Sequence, residues 1–477
     1  MKRSKKIYIL LLILAVTSIA TYAVRQYEEH KEKIKNKEEI ILEIPKDSVT
    51  ALSWEYEGED KREKFSFHKE DKWLYDEDEA FPVDEDKIDE LLGLFEELKS
   101  SFIIEDVEDY GQYGLEDPAC TIHLETEEKS YEILVGDFSI MDSQRYVSIG
   151  DGNVYLVKED PMDYFEVLIS DLMDHDETPI FSLNVSRIQF EGIENYTIIY
   201  EEDSGKSYNE DDVYFAQREG KSLPLDTYRV NSYLRDITHL NLKDYVSYKA
   251  GEEELSKYGL DHPELTIRVD YTYEDEDGEE VSDTFVLNIS RDPEEKKALE
   301  KASEKRSEKE DESEEEEITA YARVGNSKII YRIEGEDYKN LIAASYNHFR
   351  HEKAYYGAFD DIKEIHISLE GKDYTITSKG KGDKRTYYYG EEELEIDDFK
   401  GALENLKADS FTQERPRDKK EIGLKLHLDH ENFPEISIDL YRYDGSHCLA
   451  VIDGETVSLI KRSNVVDLIE AVHAIVL

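Results

Sequence analysis

Two cysteines in 477 residues exclude a disulfide scaffold and any multi-cysteine zinc or iron–sulfur site. Positive charge is also scarce. Against 114 Asp and Glu stand 59 Lys and Arg, a net charge of −55. Such a field repels phosphate backbones and argues against a nucleic-acid partner. The chain has no Gly-x-Ser-x-Gly elbow, no P-loop and no Gly-x-Gly-x-x-Gly after a strand. What is present is core-forming material. Hydrophobic residues make up 39% and aromatics 11%, with 34 tyrosines among them, so wholesale disorder is excluded. The length corresponds to about three domains.

One long apolar run exists. Lys2, Arg3, Lys5 and Lys6 precede uncharged residues from Ile7 to Val24. As a helix this run reaches roughly 27 Å, the thickness of the hydrocarbon layer. It predicts a single-pass anchor over residues 1–24, in contact with the bilayer through residues 7–24. The positive flank stays cytoplasmic and the body lies on the extracytoplasmic side of the cell membrane. The alternative is a cleaved signal peptide, with small residues at Ser18/Ala20 and Thr21/Ala23; the length of the run favours the anchor. Residues 25–39 read as a polar stalk.

The remainder repeats itself. Trp54-Glu55-Tyr56-Glu57-Gly58, Ile188-Gln189-Phe190-Glu191-Gly192 and Ile367-Ser368-Leu369-Glu370-Gly371 each alternate and then stop at glycine. That is the mark of a half-buried strand entering a turn. A third, aromatic strand follows around Trp73-Leu74-Tyr75, Val213-Tyr214-Phe215 and Tyr387-Tyr388-Tyr389. The period then changes from 2 to 3.6. After Asp84 come Ile88, Leu91, Leu92, Phe95 and Leu98; after Asp226 come Val230, Tyr233, Leu234, Ile237 and Leu240. Both aspartates are expected to N-cap their helices. In the third copy Asp397 is followed by Phe399, Ala402, Leu403 and Leu406, out of step in the first turn.

A loop signature comes next, Tyr113-Gly114-Leu115-Glu116-Asp117-Pro118 and Tyr258-Gly259-Leu260-Asp261-His262-Pro263, with only Ile422-Gly423-Leu424 surviving in copy three. Strands following Pro118, Pro263 and Pro434 complete the parallel. A second helix closes each copy, begun in copy one by Asp160 as N-cap and Pro161 as N1, with Phe165, Leu168, Ile169 and Leu172 on its apolar face.

The expected class is α+β: a transmembrane helix, then three tandem repeats of antiparallel sheet with two helices each. Their boundaries are 40–180, 181–356 and 357–477, the last degenerate. An acidic insertion, 291–317, carries 13 acidic and 7 basic side chains and is expected to be disordered or a frayed helix.

These residues, from Ile44-Pro45-Lys46-Asp47-Ser48-Val49-Thr50 through Lys72-Trp73-Leu74, Phe81-Pro82-Val83-Asp84 and Tyr-Gly-Leu-x-x-Pro to Val154-Tyr155, resemble the bacterial domain-of-unknown-function family 4340. The resemblance implies a membrane-anchored domain outside the cell, near ABC-type export or gliding-motility-like transport components. It supplies no catalytic residues.

Candidate sites are weak. The Tyr-Gly-Leu loops read as structural, with Gly permitting φ > 0. An EF-hand placed on Gly278 needs Asp at 273 and Glu at 284, where the chain has Tyr273 and Thr284, so Asp277-Gly278 reads as a hairpin turn. His348/His351 and His427/His430 have chelate spacing, but the first lacks the His-Glu-x-x-His order and the second falls on opposite faces of a strand. Cys120 occupies an apolar strand position and reads as a small buried hydrophobe; Cys448 sits in a late strand of a different copy, and a disulfide between the two would need copies one and three adjacent in space. No catalytic, cofactor or metal residue is assigned. Paired carboxylates have no diagnostic value among 114 acids. The leading expectation is a non-enzymatic interaction or accessory subunit. The alternatives are an envelope glycan enzyme and a passive acidic or cation-binding stalk.

Overall fold

The computed structural model describes residues 13–25, 39–58, 61–105, 107–181, 184–275, 277–303 and 318–476. Residues 13–25 form a helix, α1. Among the described residues no helix is long and apolar enough to cross a membrane. The first part of the expected span, residues 7–12, and nearly all of the expected stalk lie outside the described residues. Beyond this the chain divides into two compact units, Met1–Asp176 and Glu177–Leu477.

The first unit holds copy one. Its elements are β1 (Glu39–Leu42), β2 (Val49–Glu57), β3 (Arg62–Lys69), β4 (Trp73–Tyr75), α2 (Glu85–Gly93), β5 (Leu98–Ile104), β6 (Cys120–Thr126), β7 (Ser130–Ser139), β8 (Gln144–Ser148), β9 (Val154–Val157) and α3 (Met162–Phe165). The second unit holds copies two and three. Copy two has β10 (Val185–Gly192), β11 (Tyr196–Tyr200), β12 (Tyr214–Arg218), β13 (Lys221–Pro224), α4 (Thr227–Thr238), β14 (Tyr245–Ser247), α5 (Glu252–Lys257), β15 (Leu265–Glu274), β16 (Glu280–Arg291), α6 (Pro293–Ser303), β17 (Ala320–Val324), β18 (Ile330–Ile333), α7 (Gly335–Ile342) and α8 (Tyr346–Phe349). Copy three has β19 (Ile362–Leu369), β20 (Lys372–Lys379), β21 (Thr386–Tyr389), β22 (Glu392–Glu393), α9 (Asp397–Glu404), β23 (Ala408–Phe411), β24 (Lys420–Leu428), β25 (Glu435–Arg442), β26 (His447–Ile452), β27 (Glu455–Lys461) and α10 (Arg462–Val476).

The three sheets share one plan. Their orders are β4-β3-β2-β6-β7-β8-β9-β5-β1, β13-β12-β11-β10-β15-β16-β17-β18-β14 and β22-β21-β20-β19-β24-β25-β26-β27-β23. Eight strands correspond, and every one of these pairings is antiparallel. The ninth strand differs: copy one adds β1 beside β5, whereas copies two and three add a short strand at the other edge. The chain is α+β with three antiparallel sheets.

Alternation sets the buried face. Leu52, Trp54 and Tyr56 of β2 point inward, as do Ile365, Ile367 and Leu369 of β19. Trp54 is covered by α3, and its Nε1–H donates to the Phe165 carbonyl at 3.0 Å, so the buried indole leaves no donor unpaired. In copy two, Tyr233 and Tyr196 tie the same layer to the second helical segment, donating to the carbonyls of Leu341 and Ala344.

Several local expectations hold. Asp84 and Asp226 are the N-caps of α2 and α4; Asp84 accepts from Lys87 N–H, and Asp226 from Tyr228 and Arg229 N–H. Gly114 and Gly259 lie at φ +71° and +72°. The tyrosines of these loops pack against equivalent partners, Tyr113 tilted against Tyr146 and Tyr258 edge-on to Tyr321. Cys120 and Leu265, which open equivalent strands, are both buried. Gly278, at φ +79°, turns the β15–β16 hairpin, with the Gly278 N–H donating to Asp275 O.

Others are corrected. The helix of copy one ends at Gly93, so Phe95 sits in a turn and Leu98 begins β5; both stay buried although the helix has stopped. Asp397, whose first turn is out of step with the other copies, is the first residue of α9 and not a cap; the N-cap is Ile396, with no side-chain cap. The second helix of copy one is a single turn. Its N-cap is Pro161, and Asp160 instead accepts from Met162 N–H while gripping Arg145 through two oxygens at 2.8–3.0 Å. The chain leaves the helix at Glu166, which turns Leu168 out to solvent.

In copy three, Ile422-Gly423-Leu424 is not a loop but the middle of β24, paired with Leu369, Ser368 and Ile367. β24 therefore corresponds to β6 and β15, and the strand after Pro434 is one place further along. Strand alternation looks the same at every place in a sheet and cannot by itself identify the place.

The insertion 291–317 also begins as ordered structure. Asp292 caps α6 by accepting from Glu294 and Glu295 N–H. Lys296 of α6 lies 2.5 Å from Glu264. Residues 304–317 lie outside the described residues.

Candidate functional site

Copies two and three share a core. Tyr208, on the loop between β11 and β12, packs in the third copy's hydrophobic cluster. It stacks on Tyr355 at 5.5 Å and on Tyr356 at 4.3 Å, and meets Phe433 edge-on at 6.0 Å. Asn432 adds an Nδ2–H bond to the Gly205 carbonyl. Beside this junction lies a cleft of about 570 Å³, lined among others by Asp212, Asp226, Arg229, His351, Glu352 and Lys407.

Short-range turn chemistry places Asp212. Asn209 N–H donates to Ser207 Oγ, and Asp212 N–H returns to the Asn209 carbonyl. This folds the loop so that the Asp212 side chain, 1% exposed, points inward. There it accepts from Ser207 Oγ at 2.6 Å and from Asn209 Nδ2 at 2.8 Å. His351 follows α8, which Ser345 caps through His348 N–H. Its Nε2 lies 3.0 Å from both Asp212 oxygens and its Nδ1 3.9 Å from Asp226. The ring lies flat on Tyr356 at 3.8 Å, with planes 3° apart.

The chain of charge continues through Arg229. It meets Glu352 at 2.6 Å and Asp226 at 3.8 Å, and donates to the His348 carbonyl at 3.0 Å. Asp226 also caps α4, and its own N–H donates to the Phe349 carbonyl. Asp84 N–H makes the equivalent bond to Leu172 in copy one. Each of Asp212, Asp226 and Glu352 therefore has donors or a cation in contact. The arrangement fastens a loop, two helices and the inter-copy linker together.

The histidine pairs separate. His348 is on α8, edge-on to Phe349, while His351 lies beyond the helix end. Burial first, and then the Arg229 charge, push the His348 imidazole below its ordinary range. His430 leaves the sheet, and its Nδ1 accepts from Asn432 and Phe433 N–H. His427 instead meets His366 on the neighbouring strand, their ring centroids 4.9 Å apart. Both cysteines are free and buried, and burial pushes each thiol up to about 12. Asp212 was not recognisable from sequence: it has no spacing motif, and its partner is 139 residues away.

Fold and site together define a tandem-repeat α+β protein with a polar junction between its second and third copies. A family model described as "Domain of unknown function (DUF4340)" matches residues 73–263 and 217–426. The matches span well over half of the chain, which belongs to this family. They start on equivalent strands, β4 and β12, and end at the entrance to β15 and within its counterpart β24, so the family model is in phase with the repeat. No curated protein and no solved structure gives a match.

Proposed function

We propose that this chain is a non-enzymatic interaction subunit, tethered to the cell membrane through residues 7–24 with its repeats outside, and that its partner is a component of an ABC-type transport system. The observation that carries the non-enzymatic reading is the state of the carboxylates in the junction cleft. Two-carboxylate hydrolysis needs one acid and one base free to exchange protons with substrate. Asp212, Asp226 and Glu352 are instead committed to Ser207, Asn209, His351, the α4 N-terminus and Arg229. Three copies of one unit also suit an extended binding surface better than a single catalytic constellation. The tether rests on the positive flank and apolar run, and the partner class on the family resemblance.

The test joins topology to partner. A C-terminal alkaline phosphatase fusion is expected to be active. A photo-crosslinking residue at exposed Tyr228 is expected to capture a membrane transport component, identified by mass spectrometry. Glycan hydrolysis by the purified chain, abolished in Asp212→Asn, would overturn the reading.

A further inference from the structure

Among the described residues, the outward face of the third sheet carries a constellation that the other two sheets do not. Glu364 and His366 are two residues apart on β19, so both point the same way. His427 on β24 is the cross-strand partner of Glu364, and Glu435 on β25 is the next partner in the same row. One ligand atom from each of Glu364, His366 and His427 lies within 4.8 Å of the other two. We propose that Glu364, His366 and His427 bind a borderline divalent transition ion such as Zn²⁺, with Glu435 within reach as a further ligand.

The donor set decides the class of ion. Two imidazoles and a carboxylate suit Zn²⁺, Ni²⁺ or Cu²⁺, whereas Ca²⁺ and Mg²⁺ require oxygen cages. Supporting contacts are also in place. His366 Nδ1 lies 3.0 Å from Thr375 Oγ1, its cross-strand neighbour on β20. A hydroxyl there accepts the Nδ1 proton and leaves the Nε2 lone pair for a metal, as outer-sphere partners of ligating histidines do. That Nε2 now rests 2.6 Å from Glu364 Oε1, a contact the ion replaces. Glu435 Oε2 is 3.6 Å from His427 Nδ1, while Lys425 holds the other oxygen at 2.8 Å. Tetrahedral Zn²⁺ with bonds of about 2.0–2.1 Å places its ligand atoms roughly 3.3 Å apart. Half-exposed side chains close that gap by rotation.

Comparison of the copies removes the scaffold as an explanation. Matched by strand register from the bulge the three strands share, the positions of Glu364 and His366 are Ala51 and Ser53 in copy one, and Arg187 and Gln189 in copy two. The fold is built without a ligand at either place. Sequence spacing paired His427 with His430; strand pairing joins it to His366 instead.

The experiment is calorimetric titration of Zn²⁺ into the metal-free full chain at neutral pH, with Co²⁺ absorption as a second readout. One saturable equivalent is expected above the weak, diffuse uptake of the acidic surface. His366→Ala and His427→Ala are each expected to weaken it more than about tenfold, with Thr375→Val having a smaller effect. His123→Ala, on the first sheet, leaves it unchanged. The metal-free melting temperatures of all variants should match the parent, since these side chains face solvent. Absence of a saturable equivalent, or its survival in both histidine variants, overturns the proposal.

Discussion

His351 Nε2 sits 3.0 Å from each carboxylate oxygen of Asp212, and this one contact brings the end of copy two back onto its own β11–β12 loop. The loop in turn delivers Tyr208 into the third copy's core. The pair thus joins a polar contact to the hydrophobic joint beside it. His351→Ala leaves a buried carboxylate with only Ser207 and Asn209 as donors, and uncovers one face of Tyr356. The expected cost is about 2 kcal/mol. Asp212→Asn should cost less, and the double variant less than the sum, because both act on one network. Urea unfolding followed by far-ultraviolet circular dichroism measures all three; strict additivity would show that the pair is not coupled.

The loop glycines give a test that separates the two units. Gly114→Ala and Gly259→Ala both place a side chain at positive φ, at a cost of about 1–3 kcal/mol. Gly114 should suffer more. An added Cβ there comes within 2.6 Å of the Asp137 side chain and 2.8 Å of its backbone nitrogen, whereas at Gly259 the nearest atom is Pro293 Cγ at 3.1 Å. Both tryptophans, Trp54 and Trp73, are buried in the first unit. The fluorescence transition should therefore shift with Gly114→Ala and not with Gly259→Ala, while dichroism registers both.

Glu264 predicts a pH dependence. Burial opposes its ionisation, but Lys296, the Tyr338 hydroxyl and the Arg291 N–H outweigh burial and hold its carboxyl below the ordinary glutamate range. A group whose pKa falls on folding stabilises the fold above its unfolded value. That contribution is lost as pH drops through the lowered folded value. Wild type should therefore melt above Glu264→Gln at neutral pH. The gap should narrow below about pH 4.5. A gap independent of pH would mean that the carboxylate charge plays no part.

Much of the architecture was legible because its causes are local. Alternation at Trp54, Ile188 and Ile367 marked the first strand of each copy. Asp84 and Asp226 marked helix starts, since a cap needs only its own next three residues. Gly114 and Gly259 marked positive φ. Asp397 shows the limit of the same logic. The residues after it fall out of step with the other two copies in the first turn, and it is the first residue of its helix rather than the cap. Gly423 shows another. An Ile-Gly-Leu triplet fits a loop as a fragment, but as strand residues it pairs across β19.

By itself, the sequence determined the α+β class, the threefold repeat and the turns, because period and turn chemistry act over a few residues. Only the tertiary structure decided that His351 meets Asp212, that Tyr208 belongs to the third copy's core, and that His427 faces His366 rather than His430. Those neighbours are set by strand order and register, which depend on how whole sheets pair, and strand alternation is equally compatible with many such pairings.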